Sequence, residues 1–280
     1  MIYHCYTKEG LLEVDDYNEI PLDSLHKEDG PALIEFDENS QIKQLRYYTN
    51  GKLNNLYGPA MIVFGEDFHV VAKRYYIDDV LHREDKPAII QFHDNGAVQH
   101  ETYFHKGVVN RVDGPAEITY YENGNISRVF YIINGKTHKD NGPAAVFYGI
   151  EGNIDYIEYY KNGVKHKDDG PACIWFFDGD VISGEEYYLN GMRHKDDGPA
   201  FLGFYEDGSI RSEEYLILDK YHREDGPAKI EYYKNETIKS EAYYFMGNFQ
   251  RIDGPVIVNY NKDGTILSEE FLVDGKLIKK

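Results

Sequence analysis

Cysteine, tryptophan and methionine are scarce in this chain, and no long apolar run occurs. With only Cys5 and Cys173, no disulfide framework can form, so a reducing compartment is expected. No stretch is long enough to cross a bilayer, and the opening residues "MIYHCYTKEGLLEVDD" lack the basic and apolar regions of a secretory signal. Basic residues are few as well: 30 Lys and Arg stand against 49 Asp and Glu, a formal net charge of −19. A phosphate backbone would be repelled by that balance, so nucleic acid is not an expected partner. Together these absences predict a cytoplasmic protein that is neither secreted nor inserted in a membrane.

Tyrosine is abundant, 26 of 280 residues, and 14 Phe accompany it. Flat amphipathic rings suit pleated, half-buried surfaces, so strands are expected. The sequence also repeats. Pro31, Pro59, Pro87, Pro115, Pro143, Pro171, Pro199, Pro227 and Pro255 recur every 28 residues, and only Pro21 lies outside the series. A period without insertions means that each unit's geometry is set by its neighbours. The residue after the proline is Ala, with Val256 the exception. The third residue on is aliphatic, from Ile34 to Val258, and the fifth aromatic, from Phe36 to Tyr260. These alternate with a variable set, the pattern of a strand with one buried face. A turn follows, often Asn-Gly or Asp-Gly as at Asn95-Gly96 and Asp207-Gly208. A second strand opens with Ile or Val, from Ile42 to Ile266, and reaches a tyrosine five residues later, from Tyr47 to Tyr243, with Phe271 last. That odd step breaks strict alternation and predicts a bulge or bend. A second turn, usually Asn-Gly, returns the chain to the next "HKDDGPA".

Each repeat is therefore read as a β-hairpin plus a tight return. Residues 1–25 read as a degenerate N-terminal capping repeat, with Tyr6, Gly10, Leu12 and Tyr17 in the places of the aromatic, turn glycine, aliphatic and tyrosine. Residues 26–280 hold nine 28-residue repeats and a short basic end, Lys276, Lys279 and Lys280, suited to blunting a sheet edge. The predicted fold class is all-β: an elongated single-sheet solenoid of antiparallel hairpins. At about 4.8 Å per strand it would make a gently twisted rod of roughly 85–90 Å.

The stretches "YYKNGVKHKDDGPA" (159–172) and "YYLNGMRHKDDGPA" (187–200) resemble MORN-type repeats, with an aromatic, Asn-Gly and a histidine before the next strand. The longer unit is similar to the MORN-like repeat proteins of amoeba-infecting giant viruses. It departs from the family in replacing the second family glycine by Gly-Pro and in being five residues longer than the usual 23, so MORN-like is the closer description. The resemblance runs from about Tyr6 to Gly275 and implies a hairpin array used for scaffolding and protein association, in a virion or in host cytoplasm. Choline-binding repeats share the tyrosine and Asn-Gly features but need a tryptophan per unit, and Trp175 stands alone.

Six repeats place a histidine before the turn, at His26, His82, His138, His166, His194 and His222, while Asn54, Asn110 and Gln250 replace it elsewhere. Equivalent residues of successive two-strand units should lie roughly 10 Å apart, too far to share an ion. Exchange with Asn and Gln predicts a hydrogen bond that all three can make. The aspartate two before proline cannot form an Asx-turn to a residue without N–H, so its partner is expected elsewhere, in a neighbouring unit. One turn also offers too few oxygens for calcium. His69, His93, His100 and His105 scatter around the second and third repeats and read as surface residues. A column of one repeated group cannot converge on a point, and no nucleophile elbow, phosphate loop or HExxH occurs, so no catalytic residues, cofactor or metal are expected.

Recognition in an array belongs where units differ. Phe147 and Trp175 share a column that is polar in several other repeats, with Phe177, Phe201 and Tyr205 nearby and Cys173 beside them. The alternatives are an exposed hot spot and a second buried face. Second strands also end in acid: Glu185, Glu186, Glu213, Glu214, Glu241, Glu269 and Glu270. They read either as a groove for a basic partner or as a solvated outer face. The functional expectation is a non-enzymatic scaffold that binds protein or self-associates. A dedicated inhibitor or antitoxin-like binder and a carbohydrate-binding module are the alternatives.

Overall fold

The computed structural model describes residues 1–178 and 180–280. It is all-β apart from two single 3-10 turns at Tyr17–Glu19 and Leu22–Ser24. The chain divides into two compact units, Met1–Lys136 with Ile150–Gly152, and Thr137–Gly149 with Asn153–Lys280.

In the first unit one open antiparallel sheet begins with Gly10–Val14, followed by Ile2–Thr7. Hairpin strands follow in chain order from Leu33–Phe36 to Ile126–Phe130. In the second unit the hairpins run from Ala145–Tyr148 to Ile266–Val273, with Lys276–Lys279 alongside the last of these. Within each unit a repeat pairs its first strand with its second, and its second with the next first strand. Cys173–Phe176, for instance, lies between Ile154–Glu158 and Ile182–Glu186. Short two-stranded ribbons, such as Tyr188–Leu189 with Met192–Arg193, connect one hairpin to the next.

The expected bulge is present. Register shifts by one residue between the last two positions of the first strand, so that Trp175 faces Gly184 but Phe176 faces Ile182. The same shift recurs in the other hairpins, at Glu35/Phe36 through Asn259/Tyr260. The extra residue lets the aliphatic that opens the second strand and the tyrosine that ends it share one face despite their odd spacing.

The two turns of a repeat differ in backbone. The ribbon turn has two successive left-handed residues, as at Asn162 (φ 53°) and Gly163 (φ 85°), which is the type I′ geometry that matches strand twist. Asp78-Asp79 and Leu218-Asp219 adopt it without glycine. There the second aspartate accepts a backbone N–H of the preceding ribbon, Leu53 at 2.7 Å and Arg193 at 3.0 Å. The hairpin turn has one left-handed residue, for example Gly96 or Ser40. Its Asn side chain also donates to the next turn, from Asn95 to the Glu122 carbonyl and from Asn235 to the Lys262 carbonyl.

The core is thin and runs along the sheets. The alanine after the repeat proline, and Val256 in its place, is buried, and in most repeats its amide and carbonyl bond to the strands on either side, as at Ala172. In the aliphatic column Ile118, Val146, Ile230 and Val258 are buried and the rest partly covered, while the aromatic column and much of the opposite face are partly covered. Burial is therefore shared between two faces, where alternation alone predicts one.

Tyr6 departs from its expected place. Its N–H donates to the Ala32 carbonyl, as Tyr47 does to Ala60, and Lys27 lies 3.7 Å above its ring. It occupies the position of the second-strand tyrosine, not of the first-strand aromatic. Ile2–Thr7 is accordingly a second strand paired with Leu33–Phe36, and Gly10–Val14 folds back on its outer side. Tyr17 lies in a 3-10 turn, not in a strand. Repeat spacing misled here because residues 8–25 replace a short ribbon with a longer excursion. Among the described residues, no helix is long and apolar enough to cross a membrane.

Candidate protein-binding surface

The repeated polar groups are spent on the array itself. Five members of the histidine ladder accept the N–H that opens the next ribbon turn. His26, His82, His138 and His222 do so through Nδ1, at 3.2–3.3 Å, and Asn110 through Oδ1 at 2.8 Å. That is the interchangeable bond expected from the sequence. Asn54 Oδ1, His166 Nδ1 and His194 Nδ1 are buried without a partner within range. On the outer side each imidazole Nε2 faces the acid two residues on, from 2.9 Å at His166–Asp168 to 4.0 Å at His26–Glu28. An imidazole that accepts at Nδ1 carries its proton at Nε2, where a carboxylate is the matching partner.

The basic residue after the ladder position, whether that holds His, Asn or Gln, has a role that spacing alone does not show. Arg83, Arg111, Lys167, Lys195, Arg223 and Arg251 sit 3.7–4.0 Å over the rings of Tyr75, Tyr103, Tyr159, Tyr187, Tyr215 and Tyr243. The arginines also donate to the carbonyl of the loop proline, as Arg111 does to Pro115 at 3.1 Å. A cation recurring eight residues after a tyrosine was the available signal. The aspartate two before proline does not reach a neighbouring unit in any bond described. Where its side chain is engaged, at Asp225, the partner is Arg223 of the same loop, at 2.9 Å. It needs no distant donor because it is exposed to water.

The aromatic candidates divide. Phe147 stacks on Tyr156, with centroids 3.9 Å apart, and Tyr156 lies opposite Trp175 on the neighbouring strand. Trp175 meets Phe201 edge to face at 6.2 Å. Gly184, opposite Trp175, leaves room for the indole: a Cβ there would lie 3.3 Å from the ring. Four rings thus run across adjacent strands of the second unit. Tyr156 was missed because it lies on the second strand, whereas the reading compared first-strand columns. All four are half-buried, neither fully open nor sealed. Phe177 and Tyr205 belong to the turn end. Phe177 closes the hairpin turn through its N–H to Val181, and the Tyr205 hydroxyl donates to the Tyr232 carbonyl at 2.7 Å. Cys173 is buried beside this row, and burial pushes its thiol pKa up to about 12.

The acidic residues form two rows, not one strip, because neighbours on a strand point to opposite faces. Glu185, Glu213, Glu241 and Glu269 lie opposite the aliphatic column. The first three accept from Tyr187, Tyr215 and Tyr243 at 3.1–3.5 Å. Glu186, Glu214 and Glu270 share the other face. Here Tyr188 and Tyr221 donate to Glu186 and Glu214, each at 2.8 Å, and Arg193 and Lys229 approach them. Burial raises the Glu186 carboxyl above its ordinary range against the opposing pull of Tyr188 and Arg193. Every one of the seven is half-buried, so neither row is a freely solvated face.

The scattered histidines are partly engaged. His100 sits between the hydroxyls of Thr119 and Thr102 at 3.0 and 2.9 Å, and burial lowers its pKa. His93 Nε2 lies 3.0 Å from the Tyr120 carbonyl. The most exposed large apolar side chains sit elsewhere, on return loops that lack the ladder histidine: Tyr57 (99%), Ile252 (91%), Val112 (75%) and Leu56 (70%).

No family model and no curated protein matches the chain. Among solved structures, a TcdB2–TccC3 crystal structure aligns over 88% of this chain and 14% of its own, at 10% identity and TM-score 0.18. The Tc holotoxin pore of Photorhabdus luminescens aligns over 94% of this chain and 13% of its own, at 12% identity and TM-score 0.17. Alternansucrase in complex with isomaltononaose covers 91% and 18%, at 12% identity and TM-score 0.18. The chain thus spans under a fifth of the length of each.

Proposed function

We propose that the chain is a non-enzymatic, MORN-like repeat scaffold whose second unit captures a protein partner through the row Phe147, Tyr156, Trp175 and Phe201. The observation that carries this reading is the contrast between repeated and particular residues. The repeated histidines, cations and tyrosines hold one another in many repeats, whereas the aromatic row occurs in one stretch of the second unit alone among the described residues. Half-buried rings held by stacking lose little freedom on binding, which favours an anchor role. A virus-derived cytoplasmic scaffold, as the resemblance implies, fits a net charge of −19 that disfavours nucleic acid and anionic membrane. A dedicated inhibitor would use the same row on a single partner. A carbohydrate-binding module would use it as a stacking platform.

Affinity capture from the native cell with cross-linking, run in parallel with Trp175→Ala and Phe147→Ala, tests the reading. Retention of the same proteins by wild type, at least ten-fold reduced by each variant, is the expected result. Capture unaffected by both variants removes the row from the function. Glycan binding abolished by Trp175→Ala would shift the reading to a lectin.

A further inference from the structure

One return loop differs from the others in bringing a second imidazole to the ladder. His105 stands 23 residues after His82, at a ribbon position that holds Thr49, Ile77, Ile133 or Leu189 in other repeats. The His82 and His105 rings meet edge to face with centroids 5.1 Å apart, and His82 Nε2 lies 3.4 Å from Glu84. One ligand atom from each of His82, Glu84 and His105 falls within 4.8 Å of the other two. We propose that these three residues form a low-affinity site for a divalent transition metal of the zinc type, with water completing the coordination.

The donor set is the argument for the metal class. Two imidazoles and a carboxylate suit a borderline cation such as zinc and are a poor cage for calcium, which takes six or more oxygens. A tetrahedral zinc with bonds of about 2.0–2.1 Å separates its donors by about 3.4 Å. His82 is held half-buried by the ladder, while Glu84 and His105 are exposed and free to close that gap by side-chain rotation. The other His–carboxylate pairs lack this third group. His194–Asp196, for example, has Ile217 at the ribbon position.

The site competes with the fold, and that sets its strength. His82 Nδ1 now accepts the Lys106 N–H at 3.3 Å. An ion on Nε2 needs the ring proton on Nδ1, facing that same N–H. Binding therefore weakens one ribbon-turn bond, so the site is weaker than a structural zinc site.

Isothermal titration of the intact chain with ZnCl2, alongside amide exchange at Lys106, tests the site. One zinc per chain is expected, with faster exchange at Lys106 in the bound form. His105→Ile copies a residue that other repeats carry at this position, so the fold should be kept. It is expected to lower affinity about ten-fold or more with no change in melting temperature, and Glu84→Val to act in the same direction. Absence of binding up to about 1 mM zinc, an isotherm unchanged by His105→Ile, or several equivalents bound per chain would each overturn the proposal.

Discussion

Six return loops carry a ladder histidine and three do not, and the residue two positions on changes with it. His26, His82, His138, His166, His194 and His222 are followed by Glu28, Glu84, Asp140, Asp168, Asp196 and Glu224. Asn54, Asn110 and Gln250 are followed by Leu56, Val112 and Ile252. The structure supplies the reason. In five of the nine loops the side chain accepts the N–H of the next ribbon turn, as His138 Nδ1 and Asn110 Oδ1 both do. An imidazole used in this way must present Nε2–H outward, and the acid accepts it, at 3.0 Å for His138–Asp140. An amide keeps N–H donors of its own but has no imidazole Nε2–H at that reach, and in the three amide loops an exposed aliphatic stands where the acid would be. The second position depends on the first.

Removing the shared acceptor should have the largest effect. His138→Ala removes the acceptor of the exposed Asn162 N–H, a cost of about 0.5–1.5 kcal/mol. Stability in a repeat array is local, so the sharpest readout is amide exchange at Asn162 together with the denaturant midpoint. Protection at Asn162 should fall by up to about ten-fold, since about 1.4 kcal/mol corresponds to ten-fold. His138→Asn copies Asn110 and should restore most of that protection. If alanine and asparagine behave alike, the ladder is packing and not a hydrogen bond.

Much of this was legible in the sequence, for a physical reason: any feature recurring every 28 residues is a nearest-neighbour contact seen nine times over. The hairpins, the bulge before Tyr47 and its equivalents, and the exchange of His with Asn all follow from spacing. The place of Tyr6 did not, because a single aberrant unit has no second copy to align. The division of the acidic residues was implicit in strand alternation, but the capping of Glu186 and Glu214 by Tyr188 and Tyr221 depends on ribbons folding over one face. Tyr156 joined the aromatic row only through cross-strand register, which a column-wise reading does not display.

His100 provides a contrast of a different kind, since it is flanked by threonine hydroxyls and not by a loop carboxylate. Burial lowers its pKa, so the folded chain binds this proton less readily than the unfolded chain does. The stability it contributes is present above the ordinary histidine value of about 6.5 and is lost as pH falls below it. His100→Gln should therefore flatten part of the decline in denaturant midpoint between about pH 7.5 and pH 5. The ladder variant His138→Asn should leave His100's share of that decline in place. A decline of unchanged steepness in His100→Gln would assign the acid sensitivity to other groups.

The smallest expected effect is the most diagnostic of the pairing. Asp140 is largely exposed, and exposed ion pairs or charge-assisted bonds are worth about 0.2–1 kcal/mol. Asp140→Val should cost no more than about 0.5 kcal/mol while His138 is present. In the His138→Asn background the same change should cost about nothing, because the loop then matches Asn110 and Val112. The double-mutant cycle isolates this difference as a coupling energy, and salt should diminish it, since the acid is open to solvent. Equal costs in the two backgrounds would mean that the acid serves the loop independently of imidazole Nε2. The covariation of the two positions would then need another cause.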